Sequence, residues 1–317
     1  MGLTTFDEAP AREYALGHLR TRWTMLGEAA GSETIGGRRV QIEAGGWSTP
    51  AHEHGRSEEI FYVLAGSGVS WQRGRTAPIR AGDCIVYLAR RGEHTLHADE
   101  PLDVLAFGTR AYDEALRLPR LGISTLGGRA VESIPGPPDG TPIQFVREAE
   151  LGPPELPAGG RDSDPARPRP RTIVAFADIE PDVVDRPRVA RRRRELGRAA
   201  GARASALNWV RVAPGRLAHP EQCHSLEEKL FVILSGAGTL LLGEEEIPIG
   251  PGHVIGRPAG TGVAHTFRAG AEELTFLAYG SIEPGDLCYF PRSGKVALRG
   301  LGVVARLAAV DYWEGED

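Results

Sequence analysis

Four residues of the first half, His52, His54, Glu59 and His94, are of the types and at the spacings that hold a transition-metal ion. His52 and His54 are separated by one residue, so on a strand both side chains leave from the same face, as two ligands to one ion require. Glu59 lies five residues past His54. That odd separation would put it on the opposite face of an unbroken strand, but Gly55-Arg56-Ser57 can turn the chain and bring Glu59 in from a neighbouring strand. His94 follows Gly82 and the apolar run Cys84 to Leu88, so it belongs to a later strand. Four ligands from three strands can meet inside one barrel.

Three neutral imidazoles and one carboxylate suit Fe, Mn, Ni, Co or Zn in the divalent state, because thiolates and an all-oxygen calcium cage are both missing. One divalent ion and one carboxylate leave a residual charge of about +1. Such a centre would accept an anionic or enolisable oxygen ligand at open positions, with dioxygen beside it. His97, three residues beyond His94, is read as a neighbour, and His18, His219 and His253 receive no role.

The pattern recurs at an offset of 170 residues, which carries His54 onto His224, Gly66 onto Gly236 and Gly82 onto Gly252, while one added residue carries His94 onto His265. His52 falls on Gln222, however, and Glu59 on Lys229. An ammonium at a ligand position repels a divalent ion by several kcal/mol at short range, so Gln222, His224, Lys229 and His265 read as a degenerate site. Two expectations follow for Lys229: it leaves an anion-binding pocket without metal, or it pairs with Glu227 or Glu228 in a structural barrel. A one-residue shift along a strand points Glu228 to the other face.

The elements that must position these residues are short strands. Apolar stretches rich in valine, isoleucine, leucine and aromatics alternate with Gly, Pro and Asp turns through both halves, with little sustained helical period. Ile60 to Leu64 and Leu230 to Leu234 read as buried strands, closed by the glycine pairs Gly66/Gly68 and Gly236/Gly238. The repeat starts earlier, since Leu26-Gly27-Glu28-Ala29-Ala30-Gly31 is echoed by Leu196-Gly197-Arg198-Ala199-Ala200-Gly201. Between the halves, the proline density of Ile134 to Arg171 argues against helix or central strand and predicts a stiff linker. The expected segments are 1–133, 134–171 and 172–317. The run Arg191 to Arg194, followed by Glu195, is read as a solvated face.

With 41% hydrophobic and 25% charged residues and a net charge of -5, the chain has no basic excess to suggest nucleic acid. No signal-peptide pattern and no apolar run of membrane-spanning length is found, so neither export nor a membrane is expected. Cys84, Cys223 and Cys288 are isolated and odd in number, which fits buried thiols in a reducing compartment; cytoplasm is the expected location.

Gly46, His52-x-His54, Glu59 and Gly66 match the first motif of the cupin superfamily at every fixed position. Gly82 with His94 resembles the second motif, with Leu88 where proline is usual; Gly252, Pro258-x-Gly260 and His265 resemble it more closely. The chain therefore resembles a bicupin. That resemblance implies an all-β fold of two double-stranded β-helix, jelly-roll barrels with the metal inside a barrel mouth. Fold does not settle the reaction. The leading expectation is an Fe(II)- or Mn(II)-dependent, dioxygenase-like enzyme acting on a small oxygen-rich metabolite as a monomer or homodimer, with no general base assigned. The alternatives are a non-catalytic module that binds or senses a small metabolite, and a metal-dependent isomerase or epimerase.

Overall fold

A computed structural model describes residues 2–126, 129–130, 141–156 and 169–316. Each half forms two facing antiparallel sheets and a further four-stranded one, which includes Glu53–His54 in the first half and Cys223–His224 in the second, in the all-β jelly-roll architecture expected from the sequence. In the first barrel, the seven-stranded sheet runs Ile173–Ala175, Asp83–Tyr87, Glu59–Ala65, Leu102–Thr109, Ile35–Ile42, Leu19–Thr24 and Ala11–Leu16. Facing it are His94–Ala98, Ser67–Gln72 and Arg75–Arg80. The second barrel repeats the arrangement around Lys229–Ser235, Leu274–Ser281 and Ser205–Val212.

Period-2 alternation gives the central strands two buried faces with different duties. Phe61, Val63, Val40, Ile42 and Val104 fill the first barrel. Their neighbours Ile60, Tyr62, Ile35, Leu105 and Phe107 face the other way and join Leu207, Leu230, Leu277 and Tyr279 in a core between the barrels. Phe107 stacks on Tyr279 across that boundary, with ring centroids 5.0 Å apart. The Leu-Gly echo has a packing reason, because a Cβ on Gly27 would lie 2.7 Å from the Gly37 nitrogen and one on Gly197 would lie 2.9 Å from that of Leu207. The short helices Leu26–Ala29 and Leu196–Ala199 thus press on the strands Ile35–Ile42 and Ser205–Val212.

The expected segments 1–133 and 172–317 follow the chain but not the sheets. Gly2–Thr5 pairs antiparallel with His253–Arg257 of the second barrel, and Ile173–Ala175 pairs with Asp83–Tyr87 of the first. Each barrel lends an edge strand to the other, which also covers backbone groups that an open edge would leave unpaired.

The proline-rich segment departs from the reading against helix. Ile143–Leu151 is a helix, since this nine-residue stretch contains no proline. Its Phe145 stacks on Tyr14 at 4.3 Å, and Arg120 pairs with its Glu148 at 3.0 Å, so it is docked on the first barrel. The prolines at 135, 137, 138, 157, 165 and 168 lie outside the described residues. No helix among the described residues is long and apolar enough to cross a membrane. All three cysteines are free and buried.

Candidate metal centre

The chain brings His52, His54, Glu59 and His94 together. His52 and His94 face each other in a bridge, with their backbones exchanging hydrogen bonds of 3.2 and 2.9 Å. His54 ends the strand Glu53–His54, and Glu59 opens Glu59–Ala65. The turn between them does what the odd spacing required. It is pinned by Glu114, whose carboxylate accepts the N–H groups of Gly55, Arg56 and Ser57 at 2.7, 3.2 and 2.6 Å.

Three imidazole Nε2 atoms close on one carboxylate oxygen. Glu59 Oε2 lies 3.8 Å from that of His52, 3.4 Å from that of His54 and 2.9 Å from that of His94. The Nδ1–H of His52 donates to the Pro50 carbonyl at 2.9 Å. A carbonyl only accepts, so this tautomer leaves a lone pair on Nε2, the arrangement that metal-ligating histidines use. Both nitrogens of His54 are buried without a hydrogen-bond partner, the nearest approach to Glu114 being 3.8 Å. An ion at the convergence point would satisfy Nε2. Tyr87 stacks on the His94 ring at 3.8 Å and 9°, fixing its plane.

The electrostatics favour a cation. Burial works against the charged form of Glu59, but His54, His52 and His94 hold its carboxyl well below the usual range. Burial likewise works against a charge on His54, yet Glu59 and Glu114 raise it to about 10. His94 goes the other way, to about 4, because it is buried and has His52 and His54 beside it. One carboxylate with three nitrogens chemically fits Mn, Fe, Co, Ni or Zn.

Two features of this wall are missing from the sequence reading. Arg38 shares the interior face of Ile35–Ile42 with Val40 and Ile42, and the register Arg38↔Ala106↔Phe61 places it diagonally beside Glu59. Its guanidinium sits 4.9 Å from the centroid of the Trp23 ring. Water reaches it, yet the surrounding wall desolvates it and lowers its pKa, against the opposing pull of Glu59. The period-2 alternation of this strand was the available signal. The second feature is Glu114, which only the fold brings to the His54 turn.

At the equivalent position in the second barrel, Lys229 forms an ion pair with Glu227, whose side chain is fully buried. Arg299 takes the other oxygen of that carboxylate at 2.6 Å. His224 Nδ1 meets Asp286 at 2.7 Å, and Gln222 Nε2 lies 3.5 Å from His224 Nε2. Although His224, Glu227 and Asp286 also lie within ligand distance of one another, the Glu227 oxygens are taken by an ammonium and a guanidinium, and those of Asp286 by His224 and the N–H groups of Leu226 and Glu227. The pairing of Lys229 with Glu227 was one of the two expected outcomes. His265 completes the set, bridging to Gln222 as His94 does to His52.

Other sequence-singled residues are placed elsewhere. His97 packs on Trp47 at 5.0 Å, away from the ligands. His18 lies 3.6 Å from Glu148, His253 bonds Gly250, and His219 sits edge-on to His265 at 5.6 Å. Arg191 to Arg194 is not simply a solvated face. It forms most of the strand Ala190–Arg194, whose alternation turns Arg191 and Arg193 into the second barrel's cavity.

The family described as "Cupin domain" matches residues 38–108 and 208–279. Solved structures of oxalate decarboxylase from Bacillus subtilis are similar in fold. A deletion mutant superposes with a TM-score of 0.59 at 16% identity, covering 88% of this chain and 76% of that one. The structure at pH 4.6 gives 0.59 at 15%, covering 88% and 75%. One concerned with the enzyme's Mn(II) centres gives 0.57 at 15%, covering 88% and 76%. No curated protein matches the chain.

Proposed function

Taking as premise that the chain is a two-domain member of the cupin superfamily, one cupin domain in each half, we propose that its first barrel is a metal-dependent active site. His52, His54, Glu59 and His94 hold one Mn(II) or Fe(II) ion, and the reaction is dioxygenase-like, on a small oxygen-rich anion. The observation that carries this reading is the convergence of three Nε2 atoms on Glu59 Oε2 within 2.9 to 3.8 Å. The bound ion supplies Lewis-acid polarisation of a substrate oxygen and a one-electron route to dioxygen.

The chain's own residues bind and orient. Arg38, next to Glu59 on the barrel's inner face, offers a fixed cation for a substrate carboxylate. Phe61, Val63 and Val104 form an apolar interior that excludes water. Two carboxylates close to the ligands in the fold are already engaged. Glu58 is tied to the second barrel, and Glu114 to the turn after His54. Tyr87 is committed to Ser70 at 2.9 Å.

A second reading is redox-neutral cleavage of a small carboxylate. It is favoured by Arg38 and by the fold shared with an oxalate decarboxylase whose centres are Mn(II). The test is to load the protein with Mn(II) or Fe(II) and titrate simple carboxylates and enols while following the metal's spectrum. A perturbed spectrum followed by oxygen uptake supports the leading reading, and carbon dioxide release without oxygen consumption supports the second. A spectrum that no ligand of either class disturbs removes both.

A further inference from the structure

The second barrel keeps a cavity of about 470 Å³ where its twin gathers metal ligands. That volume lies within the range of sites that enclose small molecules, roughly 300 to 1,000 Å³. Among the described residues its lining is of one sign, with Arg191, Arg193, Lys229 and Arg299 facing it and no aspartate or glutamate.

Lys229 and Arg299 face the cavity, while the carboxylates that balance them, Glu227 and Asp286, are fully buried and not part of its lining. Arg191 and Arg193 share the half-exposed Asp182 at 3.2 Å each, and Arg193 also pairs with Glu195 at 3.0 Å, but neither carboxylate lines the cavity. A low-dielectric pocket that cations face, with their carboxylate partners outside its lining, presents a positive surface to an anion.

One buried polar atom on the same lining lacks a partner, Nδ1 of His265, which is 2% exposed. Buried polar groups are normally satisfied. Phe231, Phe276 and Phe290 supply an apolar part of the same lining. Burial keeps the ring of His265 neutral, with His219, Arg257, His224 and Lys229 around it acting in the same direction.

We propose that the second barrel is a metal-independent binding site for a small organic anion, a carboxylate on an apolar body. The carboxylate meets Lys229 and Arg299, and the body lies on the Phe231 and Phe276 wall. In this barrel the conversion of a ligand carboxylate to Lys229 replaces the ion's positive charge with the protein's own. The proposal is independent of the reaction assigned to the first barrel.

The test is calorimetric titration of the full chain with benzoate in EDTA, so that no ion in the first barrel takes up the carboxylate. About one benzoate per chain is expected, with benzamide, its neutral counterpart, binding about tenfold more weakly or worse. Lys229→Met and Arg299→Gln each weaken benzoate by a similar factor, about tenfold, while His52→Ala binds as the parent does. Arg299, on the rim, serves as the informative variant if Lys229→Met does not fold. Equal affinity for benzamide, no saturable binding, or loss in His52→Ala with retention in Lys229→Met or Arg299→Gln overturns the proposal.

Discussion

Glu58 and Glu228 occupy equivalent places in the repeat, and each crosses to the opposite barrel. Glu58 accepts the Ser205 hydroxyl at 2.7 Å and the N–H groups of Arg203 and Ser205 at 2.7 and 3.0 Å. Glu228 accepts the Ser32 hydroxyl at 2.7 Å and the N–H groups of Glu33 and Thr34 at 2.8 and 2.6 Å. The residue just before each ligand position is therefore a reciprocal clamp, and its neighbours Glu59 and Lys229 face the two barrel interiors.

Replacing either clamp is expected to destabilise the whole chain. Glu58→Gln puts an amide donor against backbone donors and leaves buried N–H groups unpaired, at a cost of about 2 to 4 kcal/mol. Glu228→Gln should cost a similar amount, because Glu228 likewise accepts two backbone N–H groups, together with the hydroxyls of Ser32 and Thr34. Urea unfolding of each variant measures this. A midpoint like the parent's in either one would show that the clamp is incidental.

Metal content separates the two barrels. About one Mn or Fe per chain is expected in the parent, in keeping with a single closed ligand set, and it should be lost in His52→Ala or Glu59→Gln and kept in Lys229→Ala. Chelation should lower the melting temperature of the parent and leave that of His52→Ala unmoved, because only a folded state that binds the ion gains from it. Two ions per chain, or retention in His52→Ala, would contradict the assignment.

Glu114 touches no proposed substrate position, yet it holds the turn that lets Glu59 reach the histidines. Glu114→Ala should weaken metal affinity by roughly 10 to 100-fold, the usual cost of removing an outer support, with the fold retained. Competition with a fluorescent chelator reads this out. Unchanged affinity would show that His54 and Glu59 position themselves.

Arg38→Met tests the wall rather than the ion. Metal content should stay at the parent's level, while the carboxylate concentration that half-perturbs the Mn(II) spectrum rises by about tenfold, as for a lost charge-assisted contact. If carboxylates act equally on parent and variant, Arg38 is a packing partner of Trp23 and nothing more.

The cluster of His52, His54, Glu59 and His94 was legible because its signals are local: the His52-x-His54 alternation and the glycines at Gly46, Gly66 and Gly82 are short-range features. The strands Glu59–Ala65 and Lys229–Ser235 were legible for the same reason. What escaped depends on long-range pairing. Nothing near Gly2–Thr5 says that its partner is His253–Arg257. Glu114 is separated from Gly55 by 59 positions in the chain, so only the closed barrel shows its role. The four arginines were read as one charge run, whereas a strand splits them by face, and only Arg191 and Arg193 reach the cavity.

The second barrel should also set the acid limit of stability. Burial pushes His219 down from 6.5 to about 4, and lowers His265 and His224 as well. A histidine whose folded pKa is depressed contributes stability that is present above its unfolded value and lost as pH falls through the folded one. The unfolded chain thus gains protons first, and stability should decline between about pH 6.5 and 4, above the range in which most carboxylates titrate. His94 acts in the same direction, while His54, raised to about 10, acts oppositely and loses its contribution only as pH rises toward that value. The difference between parent and His219→Gln isolates the second barrel. Since water reaches part of the His219 ring, its share is on the order of 1 to 3 kcal/mol across that window. Urea unfolding at pH 7.5 and pH 5 should show the parent losing more stability than His219→Gln. Equal losses would mean that His219 takes up its proton in the folded barrel as readily as in the unfolded chain.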